Sequence, residues 1–304
     1  MNPIATFVRR RGFPLTKPTW PAGVPRPPIE RRTGEDFDTD WARKYPARLG
    51  RAVVLDTLGR PLVQAIAAPT IRGADRIEHL EGPAVFAANH ASHLDTPLLL
   101  TSLPERFRHR SAIAAGADYF FDKRWKGALW AFLINAFPIE RVRLSRRGAN
   151  LAGRLLADGW SVVIFPEGGR SPDGWGQEHK AGAAFIALRH GVPIVPVHLE
   201  GTRRILKRGG KGLTPSTTTI TFGSPVRADD GEDARDFAAR VERAIAALAD
   251  EQATDWWTAR RRAATGASPS LTGPSATGAW RRQWALAEGR RKRTNGDNKA
   301  WPPF

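Results

Sequence analysis

Asn89-His90-Ala91-Ser92-His93-Leu94-Asp95 follows the apolar run Pro83-Ala84-Val85-Phe86-Ala87-Ala88, and these two stretches decide the fold. The apolar run has the length of a buried strand, and Asp95-Thr96-Pro97 is typical of a helix start. We therefore expect His90 to lie in a connection at the carboxyl end of a strand, where open α/β sheets usually place their functional groups.

The spacing of His90 and Asp95 suits a general base. A neutral imidazole can remove the proton from an alcohol that attacks a carbonyl, while a carboxylate fixes the tautomer and stabilises the imidazolium. Two alternatives stay open. Ser92 and Asp95 could only cap the helix as a capping box, with both histidines ordinary loop residues, or His93 could be the base instead of His90.

A second strand-like run, residues 160–165, leads into Pro166-Glu167-Gly168-Gly169-Arg170-Ser171. The adjacent glycines allow the backbone to approach a ligand closely, and the guanidinium of Arg170 suits phosphate. Glu167 is predicted to orient Arg170 or to accept a hydrogen bond from a hydroxyl. The alternative is a plain strand-to-loop turn with an exposed ion pair.

Together the two stretches resemble the glycerolipid acyltransferase family, whose best-known members are the 1-acyl-sn-glycerol-3-phosphate acyltransferases. Four blocks typical of that family occur in the right order within residues 71–249. They are His90 with Asp95, Ile139-Glu140-Arg141, residues 165–171, and Val192-Pro193-Ile194-Val195-Pro196-Val197.

The resemblance implies a role for each block. His90 would be the catalytic base and Asp95 its support. The residues implied in acceptor binding are Arg141, Glu167, Gly168 and Arg170. The residues expected to support the site are Asn89, Ser92, Phe165, Pro166, Gly169, Ser171, Lys180 and Pro196.

This chain departs from the family's pattern at three positions. Gly169 stands where threonine is usual, so one hydroxyl contact is missing. Glu140 replaces the more usual aspartate, and His179 stands where a phenylalanine often precedes the lysine.

The composition limits the chemistry. With 304 residues and 41% apolar content, the chain is long enough for one large α/β domain with extensions. Cysteine is absent, which excludes disulfides, thiolate metal sites and a cysteine nucleophile. The seven histidines show no paired ligand spacing, so we expect no metal. The family resemblance implies an acyl thioester as donor substrate and no cofactor.

The net charge of +17 lies mostly at the two ends of the chain. Residues 1–34 hold seven Lys/Arg against one acidic residue, and residues 256–304 hold ten against two. We predict a disordered Pro/Arg-rich arm over 1–40, an acyltransferase domain over 41–255 and a basic Trp/Arg-rich tail over 256–304. Tryptophan interleaved with arginine suits an anionic membrane surface. Nucleic acid, which we do not expect, and a solvated tail without a partner are the alternatives.

Strand-like segments near residues 84–88, 111–115, 161–165, 194–198 and 217–223 alternate with helix-like segments along the domain. This order predicts a single layered α/β domain with a mixed, mostly parallel sheet flanked by helices. Residues 217–223 alternate polar and apolar side chains and are predicted as an antiparallel edge strand with one polar face. Residues 125–137 are predicted as a buried helix, with a wall for the acyl chain or a shallow membrane dip as alternatives.

An amphipathic helix is predicted over about residues 47–68, and its apolar stripe would face either lipid or the rest of the domain. No apolar run reaches the length of a membrane-spanning helix. We therefore expect a cytoplasmic protein that attaches peripherally to the inner face of the cell membrane.

The expected reaction is transfer of a fatty acyl group to the free hydroxyl of a lysophospholipid, such as 1-acylglycerol-3-phosphate, in phospholipid biosynthesis. The donor would be acyl-CoA or acyl carrier protein. A lipid ester or thioester hydrolase and a non-catalytic membrane- or nucleic-acid-binding protein are the alternatives.

Overall fold

Seven strands form one sheet in the parts of the chain that the computed structural model describes, residues 34–140, 145–206 and 212–272. They are β1 (Pro69–Arg72), β2 (Val85–Ala88), β3 (Ser111–Gly116), β4 (Ala136–Ile139), β5 (Ser161–Ile164), β6 (Ile194–Glu200) and β7 (Thr218–Phe222). Their order is β1-β7-β6-β2-β5-β3-β4, and all neighbours are parallel except the antiparallel pair β6 and β7. The predicted mixed, mostly parallel sheet is confirmed.

Helices connect the strands and cover the sheet. They are α1 (Tyr45–Val54), α2 (Arg60–Ala67), α3 (Asp95–Ser102), α4 (Glu105–Arg108), α5 (Ala117–Phe120), α6 (Arg124–Ile134), α7 (Arg146–Ala157), α8 (Gly182–His190), α9 (Thr202–Ile205), α10 (Ala234–Ala253) and α11 (Trp256–Ala264). A π-helical segment, Leu55–Gly59, joins α1 to α2, so the helix predicted over about 47–68 is present as one helical stretch. Turns of 3-10 helix lie at Asp40–Arg43 and Ala74–Ile77.

The core lies on both faces of β2. Val85 and Ala87 pack in one cluster with side chains of α7, α8 and α10, while Phe86 and Ala88 pack in a second cluster with α2 and α3. All of these strand residues are fully buried, because successive side chains of a strand point to opposite faces and both faces carry helices. The layered α/β prediction is confirmed.

The position predicted for β7 is wrong. The strand is antiparallel to β6, as expected, but β1 pairs with its other side and takes the edge of the sheet. Two of its threonines, one on each face of the strand, are buried and hydrogen-bonded. Thr218 Oγ1 donates to the carbonyl of Ala67 at 2.9 Å, and Thr221 Oγ1 accepts from Gln252 Nε2 at 2.7 Å. Satisfied hydroxyls allow an alternating strand to lie inside a sheet.

The single buried helix predicted over 125–137 is also wrong. α6 ends at Ile134, and Asn135 takes the left-handed conformation at φ 52° before β4 begins. The Asn135 side chain donates to the carbonyl of Ser111 at 3.0 Å, which helps to hold this break. Trp125 and Leu129 of α6 are 63% and 42% exposed, so the helix presents an apolar face to the outside.

The first helical stretch also exposes apolar side chains. Val53, Leu58 and Leu62 are all more than half exposed, whereas Leu55 and Val63 are buried. The apolar stripe identified from the sequence therefore faces largely away from the domain. Among the helices of the described residues, none combines the length and the hydropathy needed to cross a membrane.

The described fold continues beyond residue 255, because α11 packs on α10. Ala259 of α11 is buried, and Arg262 donates to Asp250 Oδ1 at 2.8 Å. Residues 1–33 and 273–304, which hold most of the two predicted arms, lie outside the described residues. The domain boundaries at 40 and 255 stay predictions.

Candidate active site

Two loops meet at one edge of the sheet. β2 and β5 are parallel neighbours, with Ala87 opposite Ile164. Because parallel strands end at the same edge, the loop that carries His90 and the loop that carries Glu167 leave the sheet side by side.

The His90 imidazole is held by the Asp95 carboxylate. His90 Nδ1 lies 2.8 Å from Asp95 Oδ2, and the same oxygen accepts the backbone N–H groups of Ala91 at 2.6 Å and Ser92 at 2.8 Å. Asp95 is fully buried, whereas the His90 side chain keeps 16% exposure. Since an ionised carboxylate only accepts, Nδ1 carries the proton and Nε2 presents a lone pair to the outside.

Helix capping does not account for this arrangement. Asp95 bonds back to the Ser92 N–H, which is half of a capping box, but the Ser92 hydroxyl does not complete it. The Ser92 Oγ accepts from the Leu94 N–H at 3.2 Å and donates to the carbonyl of Leu206 at 2.8 Å. Ser92 therefore supports the loop, and Asp95 has a separate contact with the His90 ring.

Glu167 ties the two loops together. Its Oε1 accepts the backbone N–H of His90 at 2.8 Å, and its Oε2 accepts the N–H of Gln177 at 2.9 Å. The Ser171 N–H donates to the carbonyl of His90 at 2.7 Å, and the Phe165 ring stacks on the imidazole at a centroid distance of 4.2 Å. Glu167 is 4% exposed, so the structure gives it a holding role. Its expected contact with an acceptor stays a prediction.

Gly168 and Gly169 differ in whether the backbone conformation or neighbouring atoms would oppose a side chain. Gly168 has φ +69° and donates its N–H to the carbonyl of Phe165 at 3.0 Å, a left-handed turn that favours glycine. A Cβ atom at Gly169 would meet nothing within 4 Å. The threonine that is usual in the family at position 169 would therefore fit without a clash.

His93 is a poor candidate for the base. Burial, then the positive charge of Arg170, then His90, lower the pKa of the His93 imidazole to about 4, while Asp95 raises it. The ring stacks on Tyr119 at 5.7 Å, and the carboxylate of Asp95 hydrogen-bonds to His90 rather than to His93. A base with a pKa near 4 removes protons weakly at neutral pH. The effect of Arg170 on the pKa of His93 shows that its guanidinium lies near this ring.

The remaining predicted residues hold the loops to neighbouring strands. The Asn89 side chain exchanges two hydrogen bonds with the backbone of Leu199 on β6, at 2.9 and 2.7 Å. Pro196 lies opposite Ala87 in the register of β6 and β2. The carbonyl of Pro166 accepts the N–H of Lys180 at 3.0 Å. Arg141 lies outside the described residues.

Sequence reasoning missed three residues at this edge. Tyr119 follows β3, whose carboxyl end lies at the same edge as His90, so the rule that found His90 would also have found it. Gln177 and Arg203 lie outside the four sequence blocks, so no pattern marks them. Arg203 donates to the carbonyls of Ser171 and Pro172 at 3.4 and 3.2 Å. Over the ranges that the structure describes, no group of three or more His, Cys, Asp or Glu side chains could hold a metal ion.

Comparison with known proteins supports the family resemblance and the fold. The family model described as Acyltransferase matches residues 68–200. A chloroplastic 1-acyl-sn-glycerol-3-phosphate acyltransferase of Arabidopsis thaliana is 33% identical over 146 residues, which are 47% of this chain and 39% of the relative. The 1-acyl-sn-glycerol-3-phosphate acyltransferase beta of Homo sapiens is 31% identical over 144 residues, 45% of this chain and 49% of the relative. The chain thus spans less than half of the length of these two relatives.

One solved structure has a similar fold. The crystal structure of the 1-acyl-sn-glycerophosphate acyltransferase PlsC from Thermotoga maritima matches with a TM-score of 0.53 at 23% identity, covering 73% of this chain and 87% of that chain. The resemblance read from the four sequence blocks is confirmed, because residues 68–200 match the Acyltransferase family model and the relatives carry the same family's names. The similarity to the solved structure supports the fold.

We expect the pKa of His93 to lie near 4 and to rise in Arg170→Gln, because that substitution removes a positive charge beside the ring. NMR titration of the histidine ring signals measures both values, and His93→Gln identifies the resonance. Arg189→Gln, a change at an exposed arginine of α8, should leave the His93 pKa unchanged. A His93 pKa near the ordinary 6.5 would contradict this placement of the ring.

Proposed function

We propose that the protein transfers a fatty acyl group from a thioester donor to the free hydroxyl of a lysophospholipid such as 1-acylglycerol-3-phosphate, in phospholipid biosynthesis. The donor is acyl-CoA or acyl carrier protein. The observation that carries the proposal is the hydrogen bond from His90 to the buried Asp95, made beside the Glu167 loop. The relatives named as 1-acyl-sn-glycerol-3-phosphate acyltransferases support the choice of acceptor.

The reaction needs one base and no covalent enzyme intermediate. Nε2 of His90 takes the hydroxyl proton as the acceptor oxygen attacks the thioester carbonyl carbon and a C–O bond forms. Asp95 stabilises the imidazolium. The C–S bond then breaks, and the imidazolium returns the proton to the leaving thiolate. Proton transfer of this kind contributes roughly 10²–10⁴-fold to the rate.

The acceptor is aligned by its phosphate. The positive charge of Arg170 lowers the pKa of the His93 imidazole, so the guanidinium lies near the loop that carries the reacting histidine. Arginine recognises phosphate through paired donors. We assign the phosphate to Arg170, together with Arg141 on the strength of the second family block. Alignment of oxygen and carbonyl carbon contributes about 7 kcal/mol or more in well-oriented reactions.

An exposed apolar surface supports attachment to a membrane. The N-terminal apolar face consists of Tyr45, Leu49, Val53, Leu58 and Leu62, with exposures between 52 and 73%. Contiguous exposed apolar side chains of this kind mark interaction surfaces. We propose that this face lies on an anionic bilayer surface at the inner face of the cell membrane, from the cytoplasmic side.

Aromatic rings connect this surface to the site. α6 packs on α1, where Gly50 approaches the Phe132 ring. From Trp130 of α6, ring contacts run through Phe120 and Tyr119 to His93, with centroid distances of 5.5, 4.9 and 5.7 Å. An acceptor whose acyl chain stays in the bilayer has an apolar route from the membrane to the loop that carries His90 and His93.

A labelled acyl thioester distinguishes transfer from hydrolysis. With acyl-CoA or acyl carrier protein and 1-acylglycerol-3-phosphate, we expect labelled diacylglycerol phosphate, and little free fatty acid without the acceptor. His90→Gln should lower kcat by about 10²–10⁴-fold because the base is lost. His93→Gln serves as the matched control at the neighbouring histidine and should lower kcat far less.

Two results would contradict the proposal. Free fatty acid released at the same rate with and without acceptor would identify a hydrolase. A folded His90→Gln variant with the kcat of the unmodified protein would remove His90 as the base.

Binding to phosphatidylglycerol-containing vesicles tests the N-terminal apolar face. In sedimentation at about 0.5 M salt, where charge attraction is screened, the paired change Leu58→Glu with Leu62→Glu should weaken binding about tenfold or more. Leu188→Glu, at an exposed leucine of α8, is the control and should bind as the unmodified protein does. Equal binding by all three proteins would refute the membrane face, and tighter binding to DNA than to vesicles would favour nucleic acid as the partner.

A further inference from the structure

The last described segment of the chain returns to the active-site loop. α11 ends at Ala264, and Gly266 takes the left-handed conformation at φ +68°, which helps to turn the chain. The Gly176 N–H then donates to the carbonyl of Leu271 at 2.9 Å. The Leu271 side chain is partly buried against the core cluster that α7, α8 and α10 share. Residues 268–272, which we name the C-terminal clamp, lie outside the matched range 68–200.

Gly176 is connected to the catalytic loop by its neighbour in the chain. The N–H of Gln177 donates to Glu167 Oε2, and its side-chain Nε2 donates to the carbonyl of Gly169 at 3.0 Å. The other oxygen of Glu167 accepts the N–H of His90. A continuous series of backbone-directed hydrogen bonds therefore leads from Leu271 to both loops of the site.

The loop between these contacts is exposed, and its own hydrogen bonds are local: the Gly174 N–H donates to Ser171 Oγ at 2.7 Å and the Trp175 N–H to Asp173 Oδ1 at 3.1 Å. Asp173, Gly174 and Trp175 are exposed, and Gly174 has φ +108°. Segments with few buried contacts open locally at low free-energy cost. Contacts from Leu271 and Arg203 join this loop to the rest of the domain.

The clamp itself is attached to a rigid element. The Asp255 side chain accepts the N–H of Thr258 at 2.9 Å and so caps α11. Arg262 forms an ion pair with the buried Asp250 of α10 at 2.8 Å. The start of the segment that leads to Leu271 is thus fixed on the longest helix of the described fold.

We infer that the C-terminal clamp is a positioning element of the active site, which holds residues 172–177 and, through Gln177, the turn whose Arg170 receives the phosphate of the acceptor. This inference rests on the proposed acyl transfer. Leu271 touches neither substrate nor the reacting atoms. It acts through Gly176, Gln177 and Glu167, so its loss should raise the acceptor KM and change the chemical step much less.

Leu271→Ala in the full-length chain tests the clamp. Hydrogen exchange of the loop peptide covering about residues 168–178 should become about fivefold faster or more, because the segment that accepts the Gly176 N–H loses the side-chain packing that fixes it to the core. The acceptor KM should rise about three- to tenfold, with kcat and the donor KM changed by about twofold or less. Leu271→Met should restore both values, and Leu188→Ala, at an exposed leucine, is the matched control.

A substitution at Gly176 tests the contact between Gly176 and Leu271 from the loop side. A Cβ atom at Gly176 would lie 3.1 Å from the Leu271 Cβ and 3.3 Å from its carbonyl oxygen, so Gly176→Ala should displace the Leu271 segment slightly. It should change loop exchange and acceptor KM in the same direction as Leu271→Ala, by smaller factors.

The positioning role of the clamp and the proposed acyl transfer are tested by different outcomes. Unchanged loop exchange in both variants, or faster exchange without any rise in acceptor KM, would overturn the positioning role. If the unmodified protein transfers no acyl group to any lysophospholipid, the proposed function fails, and the exchange measurement still decides whether Leu271 holds the loop.

Discussion

The buried Asp95 carboxylate is the group on which the rest of the site depends. One of its oxygens receives three N–H donors, from the His90 ring and from the backbone of Ala91 and Ser92. Hydrogen bonds to a charged group contribute about 1.5–3 kcal/mol each, which offsets the several kcal/mol that burial of a carboxylate costs. The same contacts shape the loop, fix the imidazole tautomer and stabilise the charge that forms when His90 takes a proton.

The sequence predicts the parts of the fold that have strong one-dimensional patterns. β2 is buried on both faces, which produces an unbroken apolar run, and five strands were predicted near their observed places. β1 was missed because it has four residues, mostly exposed, and owes its existence to pairing with β7. β4 was missed because Ala136–Ile139 continues the apolar composition of α6, and only the left-handed Asn135 separates them.

The site residues that directly follow strands could be predicted from the sequence. His90, Glu167 and Arg170 follow two strands, but only the strand order shows that β2 and β5 are neighbours. The use of Glu167 was not predictable. Its residue type fits an acceptor contact, whereas its oxygens hold the backbone of His90 and Gln177. Gln177 and Leu271 act through backbone geometry, which leaves no pattern in the sequence.

The kcat of Asp95→Asn tests the central claim most directly. Asparagine keeps the size of the side chain and a carbonyl oxygen for the Ala91 and Ser92 N–H groups, but it removes the charge that stabilises the imidazolium. The account predicts a folded protein whose kcat falls by about 10²–10⁴-fold, with a smaller change in acceptor KM. A folded Asp95→Asn variant that transfers acyl groups with an unchanged kcat would contradict the assignment of the His90–Asp95 pair.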